Sequence, residues 1–303
     1  MPDTMHDALR AAPHATPHRD EHTGTTTTGH EWDGIRELNT PLPRWWLYTF
    51  YATIVFAALW VVLYPALPFT GTGLLEYTAR GAADADRTAQ AAAAEPMLAR
   101  LRAATPEEIL ADPDLRSYAV SGGRVAFANT CAGCHGAGGQ GSPGFPNLAD
   151  DEWLWGGNLA QVEQTIRHGI RAPDDDETRT SMMPRFVADG LLTSTQANDV
   201  TEHVLSLTNR ATDKAAASRG AAVFAENCAS CHGERAEGNR EMGAPRLDDQ
   251  VWLYGGDKAA ILRTVSFGRG GAMPAWERRL DPATIRMLTV YVQSLGGTEP
   301  AAP

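Results

Sequence analysis

Cysteine is scarce in this chain of 303 residues, which has four, far below the density of a disulfide-stapled domain. Basic residues are also too few to balance the acidic ones, 26 against 37, so the formal net charge is −11. This charge excludes nucleic acid as a partner, because phosphate binding needs a basic face. The mean hydropathy of −0.30 excludes a polytopic membrane protein. The apolar fraction of 43% leaves enough material for about two domains with hydrophobic cores.

The chain has one long hydrophobic run, and no charged residue occurs between Arg44 and Glu76. Its core, residues 45–68, would be about 36 Å long as a helix, enough to cross a bilayer core of about 30 Å. The run has no polar face, unlike a buried core helix. It also starts too far from the N-terminus for a cleaved signal peptide, and no A-x-A pattern follows it closely. We therefore expect one uncleaved span. Aromatic residues of the kind enriched at membrane interfaces lie near both ends: Trp45, Trp46, Tyr48, Trp60 and Tyr64.

The segment before this run, residues 1–44, is predicted to be a tail and an interfacial segment. Residues 1–30 hold five of the nine histidines and show no periodicity. A metal-binding tail is one interpretation, but the histidine spacings fit no fixed coordination geometry. We expect residues 1–30 to be disordered.

Residues 69–118 predict a partly helical linker. The Ala-rich part favours helix, with interruptions at Gly81 and Pro96. Further on, Thr105 followed by Pro106 and by Glu at position 108 has the pattern of a helix N-terminus.

The rest of the chain is an internal repeat. FANTCAGCHG begins at Phe127 and FAENCASCHG at Phe224, an offset of 97 residues. A Trp-x-x-Gly-Gly segment recurs at an offset of 99 and a Met-Pro pair at 90, so the first copy has nine extra residues, around 171–180. Each copy ends in an amphipathic segment. The sequence therefore predicts two tandem all-α domains, residues 119–210 and 211–303.

All four cysteines lie in two Cys-x-x-Cys-His motifs, the attachment signal of c-type haem. Two thiols one helical turn apart can add to the two vinyl groups of a porphyrin, and the adjacent His can bind iron. A zinc ribbon would place its Cys pairs about 15–20 residues apart, and a redox dithiol requires neither the His nor a second copy. We expect two covalently bound haem c groups, held by Cys131, Cys134 and His135 and by Cys228, Cys231 and His232.

Each haem needs a second axial ligand. Met273 stands before a proline 41 residues after His232, and Met183 stands before a proline 48 residues after His135. Proline restricts the preceding residue to extended geometry, which fixes the Met backbone. His/Met ligation fills all six iron positions, so the predicted role is electron transfer. Pairing within each copy is the default, and a crossed pairing would use the same residues.

Four other side chains are alternatives that we consider weaker. Met182 lacks the following proline, and Met242 has no counterpart in the other copy. His168 could give bis-His ligation, but it aligns with a phenylalanine. His203 aligns with Tyr291 and is expected to pack between helices.

Two parts of the sequence carry a family resemblance. Both copies resemble class I cytochrome c, in which a Gly/aromatic face of the first helix packs on the last. Here Gly123 with Phe127, and Gly220 with Phe224, form that face at i, i+4 spacing. The segment EWDGIRELNTPLPRWW at 31–46 is similar to the N-terminal signature of the di-haem subunit III family (CcoP, also called FixP) of cbb3-type cytochrome c oxidase.

The resemblance implies a relay subunit without a substrate-turnover site of its own. It would take electrons from a cytochrome c or a quinol-oxidising complex. It would pass them to the mono-haem subunit II and the haem–copper subunit of a proton-pumping, dioxygen-reducing oxidase. The chain would cross a bacterial inner membrane once, with its N-terminus cytoplasmic and its haem domains periplasmic. A free-standing di-haem shuttle is the main alternative. A di-haem peroxidase would need one five-coordinate haem, which the paired Met-Pro motifs disfavour.

Overall fold

The computed structural model describes residues 16–64 and 73–296 and is mostly helical, as predicted. The chain divides into two units, residues 1–90 and 91–303. In chain order the elements are β1 (Thr27–Trp32), β2 (Ile35–Leu38), α1 (Arg44–Leu63), α2 (Ala79–Ala103), α3 (Pro106–Ala111), α4 (Pro113–Thr130), α5 (Ala132–His135), α6 (Leu159–His168), α7 (Ser194–Leu207), α8 (Lys214–Asn227), α9 (Ala229–His232), α10 (Lys258–Phe267) and α11 (Pro282–Gln293).

A β-hairpin precedes the hydrophobic run. β1 pairs antiparallel with β2, and Trp32 lies opposite Ile35. The two-residue turn, Asp33 and Gly34, has φ angles of 53° and 84°, the left-handed geometry that Asp-Gly turns adopt between strands. The expectation of disorder up to residue 30 is therefore wrong for the described residues that enter this hairpin. Residues 1–15 lie outside the described part of the chain.

α1 is the one helix among the described residues that is long and apolar enough to cross a membrane. Its 20 residues give a length of about 30 Å, which matches a bilayer core. It starts directly after Pro43, and none of its side chains is buried by the protein. Residues 65–68 of the predicted span lie outside the described residues.

α2 is longer and less interrupted than the sequence indicates. Gly81 and Pro96 both lie inside it, so the predicted breaks are wrong. The next helix begins as predicted: the Thr105 N–H donates to the Glu108 carboxylate at 2.8 Å, and the Glu108 N–H donates to Thr105 Oγ1 at 3.2 Å. This reciprocal cap satisfies two otherwise unpaired backbone donors.

The second half of the expected linker is packed core. Leu101 and Ile109 are fully buried. Both belong to a cluster with Met287 and Val290, which lie on α11, the last helix of the chain. Residues 97–118 therefore pack against α11 and do not form a separate linker.

The two copies exchange their closing helices. α4 packs against α11, and α8 packs against α7. A Cβ at Gly123 would overlap the carbonyl oxygen of Met287 on α11, and a Cβ at Gly220 would overlap that of Asp199 on α7. The predicted glycine face does meet a closing helix, but each time it is the helix of the other copy.

The aromatic contacts repeat this exchange. The rings of Phe127 and Tyr291 lie 5.4 Å apart, and those of Phe224 and His203 lie 5.3 Å apart. His203 is a packing residue, as expected.

We call residues 181–271, which contain α7 to α10, the inner module. Residues 91–180 together with 272–296, which contain α4 to α6 and α11, form the outer module. The tandem segments 119–210 and 211–303 each contribute to both modules.

Candidate haem sites

Both Cys-x-x-Cys-His motifs fold into a single helical turn. α4 ends just before Cys131, whose carbonyl accepts hydrogen bonds from the N–H groups of Cys134 at 3.1 Å and His135 at 3.0 Å. α9 repeats this arrangement in the other motif, where the carbonyl of Cys228 is the acceptor. Residues three apart on a helical turn lie on one face, so both thiols of each motif are presented together with the following His.

A backbone carbonyl orients each imidazole. His135 Nδ1 lies 3.0 Å from the Pro146 carbonyl oxygen, and His232 Nδ1 lies 2.8 Å from that of Pro245. Because a carbonyl can only accept, Nδ1 carries the proton, and Nε2 is left with a free lone pair for a metal. Burial also lowers the pKa of His232, which favours the neutral ligand form. Sequence reasoning missed this role of the proline carbonyls, for which the recurrence of Pro146 as Pro245 at an offset of 99 was the available signal.

Burial keeps two of the four thiols, Cys131 and Cys228, from ionising. None of the four cysteines forms a disulfide. Burial raises the pKa of Cys228 to about 11, and it also raises the pKa of Cys131. Such thiols stay protonated at neutral pH, unlike the low-pKa thiolates of redox dithiols.

Met273 is held at the end of α6, in the outer module. Its N–H donates to the Ile170 carbonyl at 2.9 Å, and the Ile170 N–H donates to its carbonyl at 3.0 Å. Gly169, with φ of 64°, lets the chain pass this close, because a Cβ there would overlap the Met273 carbonyl oxygen. The Met273 side chain packs on the cluster that contains Phe127, and Cys131 packs on the same cluster.

Met183 is held in the same way at the end of α10, in the inner module. Its N–H donates to the Arg269 carbonyl at 3.3 Å. Gly268, with φ of 68°, stands against the Met183 carbonyl, again with no room for a Cβ. The Met183 side chain packs on the cluster that contains Phe224, and Cys228 packs on the same cluster. Each methionine therefore packs on the cluster beside the haem motif of the other copy, whereas the default expectation paired them within each copy.

A cavity of about 310 Å³ lies at the inner module, which supplies most of its walls together with Leu154, Trp155 and Arg171 of the outer module. This volume is in the range of small-molecule sites. Its walls include Cys228, Cys231, His232 and Met183. Two thiols, an imidazole with a free Nε2 and a thioether converge on one apolar cavity, a donor set that fits a c-type haem.

The weaker candidates are also located by the structure. Met182 and Met242 both border the cavity. However, 64% of the surface of Met182 is exposed, and its side chain lies against Gly270. His168 Nδ1 lies 3.1 Å from the Asp175 carboxylate, so the acidic insertion holds this ring.

The glycines at 169 and 268, which fix the methionines, were missed by sequence reasoning. Their recurrence at an offset of 99 was the available signal.

Comparison with known families divides the chain into three parts. Residues 24–71 match the N-terminal domain of cytochrome oxidase-cbb3, FixP. Residues 120–208 match cytochrome c, and residues 215–292 match cytochrome c oxidase, cbb3-type, subunit III.

Whole-length relatives agree with these matches. The chain is 50% identical to the cbb3-type cytochrome c oxidase subunit CcoP of Azospirillum brasilense, over 92% of this chain and 98% of that one. It is 50% identical to the subunit FixP of Azorhizobium caulinodans, over 90% and 94%. It is 48% identical to the subunit CcoP of Cereibacter sphaeroides, over 90% and 95%. With its candidate membrane helix and cytochrome c segments, the chain belongs to the CcoP/FixP family, the membrane-anchored cytochrome c subunit of cbb3-type oxidases.

Proposed function

We propose that the chain holds two haem c groups with crossed axial ligands. Cys131, Cys134 and His135 would share the outer site with Met273. The inner site would be formed by Cys228, Cys231, His232 and Met183. The observation that carries this proposal is the backbone pairing of each methionine beside the haem motif of the other copy.

When bound, a haem with His and Met ligands supplies reversible one-electron transfer and has no open position for a substrate. The residues of both sites support that role equally. Each His is fixed by a proline carbonyl, and each Met is fixed by a neighbouring backbone, so neither ligand must move when the charge changes. We infer a relay, not a peroxidase.

The direction of the relay rests on the family. The donor would be a cytochrome c or a quinol-oxidising complex, and the acceptors would be the mono-haem subunit II and the haem–copper subunit. The net charge of −11 suits a basic donor protein. The hairpin before α1 exposes 60% of Trp32 and 73% of Ile35, which suits contact with another subunit. We place the N-terminus in the cytoplasm and both haem modules in the periplasm, where haem c is attached.

The crossed ligation can be tested one haem at a time. In a Cys131→Ala/Cys134→Ala variant, only the inner haem is attached. In this background Met183→His should lower the midpoint potential of the remaining haem, because imidazole stabilises ferric iron more than a thioether does. Met273→His should leave that potential unchanged. The reciprocal result is expected in a Cys228→Ala/Cys231→Ala background.

Met182→His is the matched control, since it places imidazole one residue from Met183. We expect it to leave both potentials unchanged. If Met273→His shifts the inner haem and Met183→His does not, the ligands pair within each copy. If neither variant shifts either haem, the methionines are not ligands.

A further inference from the structure

One arginine side chain joins the two methionine loops. Arg171 Nε donates to the Gly271 carbonyl at 2.7 Å. Its Nη1 donates to the Ser181 carbonyl. A single guanidinium thus links the outer module, in which it lies, to both ends of the inner module.

The two acceptors are equivalent positions of the repeat. Ser181 stands two residues before Met183, and Gly271 stands two residues before Met273. A planar fork of donors on a rigid guanidinium fixes the relative positions of the groups that it binds. Arg171 therefore fixes both methionine loops against each other through equivalent carbonyls.

No acidic side chain balances this cation among the described residues. Its side chain borders the inner cavity and lies 5.9 Å from the Trp155 ring centroid. Burial lowers the pKa of Arg171, and Tyr254 opposes this shift. The two backbone carbonyls are the hydrogen-bond acceptors of its guanidinium among the described residues.

The backbone at this position is also strained. Arg171 has φ of 51°, a left-handed conformation that side chains rarely adopt. The equivalent residue of the second copy is Gly270. A Cβ at Gly270 would lie 2.8 Å from Met182 Sδ and 3.7 Å from Arg171 Nε. There is room for one arginine between the two loops, and the first copy supplies it.

We propose that Arg171 is a positioning residue for both haems: one side chain holds both distal methionines at their iron positions. This inference rests on the crossed ligation proposed above. It predicts that a single substitution outside the ligand set weakens thioether ligation at two sites.

The test uses the full-length chain with both haems attached. Arg171→Gln removes the fork. Arg179→Gln is the matched control, because Arg179 is also half-buried without a carboxylate partner and lies 5.4 Å from the same Trp155 ring. Its donors reach Thr165 and Gln164 on α6 and neither methionine loop.

Two measurements report on the ligand bond. One is the far-red charge-transfer band of ferric haem with a thioether ligand, and the other is displacement of that ligand by added imidazole. In Arg171→Gln we expect about tenfold tighter imidazole binding at both haems, the factor that corresponds to a lost hydrogen bond of about 1.4 kcal/mol. Both midpoint potentials should fall, and Arg179→Gln should keep the wild-type values.

Arg171→Lys carries the same test if Arg171→Gln does not fold. An ammonium keeps the charge but lacks the planar fork, so both haems should again be weakened. If Arg171→Gln and Arg171→Lys change neither haem, or change only one, the inference is overturned. If the wild-type chain itself lacks the thioether band, the proposed ligation has failed instead.

Discussion

The inner and outer modules have the same packing but different connectivity. The inner module is one continuous segment, 181–271, in the order methionine loop, closing helix, opening helix and haem motif. The outer module is made of two segments, 91–180 and 272–296, and the inner module lies between them in the sequence. The inner module is thus a circular permutation of the outer one. A repeat thus identifies equivalent residues, but it does not tell which copy supplies the closing helix that packs on each opening helix.

The largest expected effect comes from cutting the chain. Residues 181–271, exported alone, should fold and bind one haem with thioether ligation, because this fragment contains both closing and opening helices. Residues 119–210 should give no stable six-coordinate haem, because α4 there lacks α11 and α7 lacks α8. Haem staining, the far-red band and thermal unfolding of both fragments are the measurements. A stable 119–210 fragment beside an unfolded 181–271 fragment would show that the copies pack separately.

An intermediate effect is expected at the glycines that hold the methionines. Gly268→Ala should displace the Met183 loop and weaken the inner haem, at a cost of about 1–3 kcal/mol from strain and overlap. Gly169→Ala should do the same to Met273 and the outer haem. Imidazole binding in the single-haem backgrounds measures each effect separately.

Gly190→Ala is the control for these variants. Gly190 has φ of 70°, but nothing lies within 4 Å of a Cβ there, so it tests backbone strain without the overlap. We expect Gly190→Ala to leave imidazole binding unchanged. An equal effect of all three variants would argue against a specific role of the two glycines.

The last prediction distinguishes the modules by pH. Glu202, fully buried on α7, accepts hydrogen bonds from Lys258 Nζ at 2.7 Å and from Thr212 and the Asp213 N–H. Its hydrogen bonds, with Lys258 the strongest, lower its pKa to about 2 from 4.5. A lowered pKa stabilises the fold above pH 4.5, and this contribution is lost as the pH falls towards 2.

Glu202→Gln should therefore lower the free energy of unfolding of the inner module by about 1–3 kcal/mol at neutral pH. The difference from wild type should shrink between pH 4.5 and 2. Urea unfolding followed at each haem in the single-haem backgrounds is the measurement. Glu226→Gln, an exposed substitution on α8, is the control and should have no effect. A pH-independent difference would mean that the Glu202 charge is not the cause.

The parts of the site that the sequence predicted are local. The Cys-x-x-Cys-His turns, the Met-Pro pairs and the Thr105 cap each depend on a few adjacent residues. The helix exchange was not predicted, because both glycine faces can accept either closing helix. The short connection between α7 and α8, residues 208–213, favours a hairpin of these two helices and was a usable signal.

Asp33-Gly34 was a comparable missed signal for the β-hairpin formed by β1 and β2. The matched family segments, 120–208 and 215–292, follow the copies and not the modules.

The position of α11 has a consequence for biosynthesis. Cys131 is the first residue of the proposed haem sites to be synthesised, but the helix that closes its module ends at Gln293, 162 residues later. At about 5–20 residues per second, the first motif waits about 8–30 s for its last helix. A chain that stops short of α11 would lack the helix on which α4 packs. The outer module, although begun first, is therefore completed last.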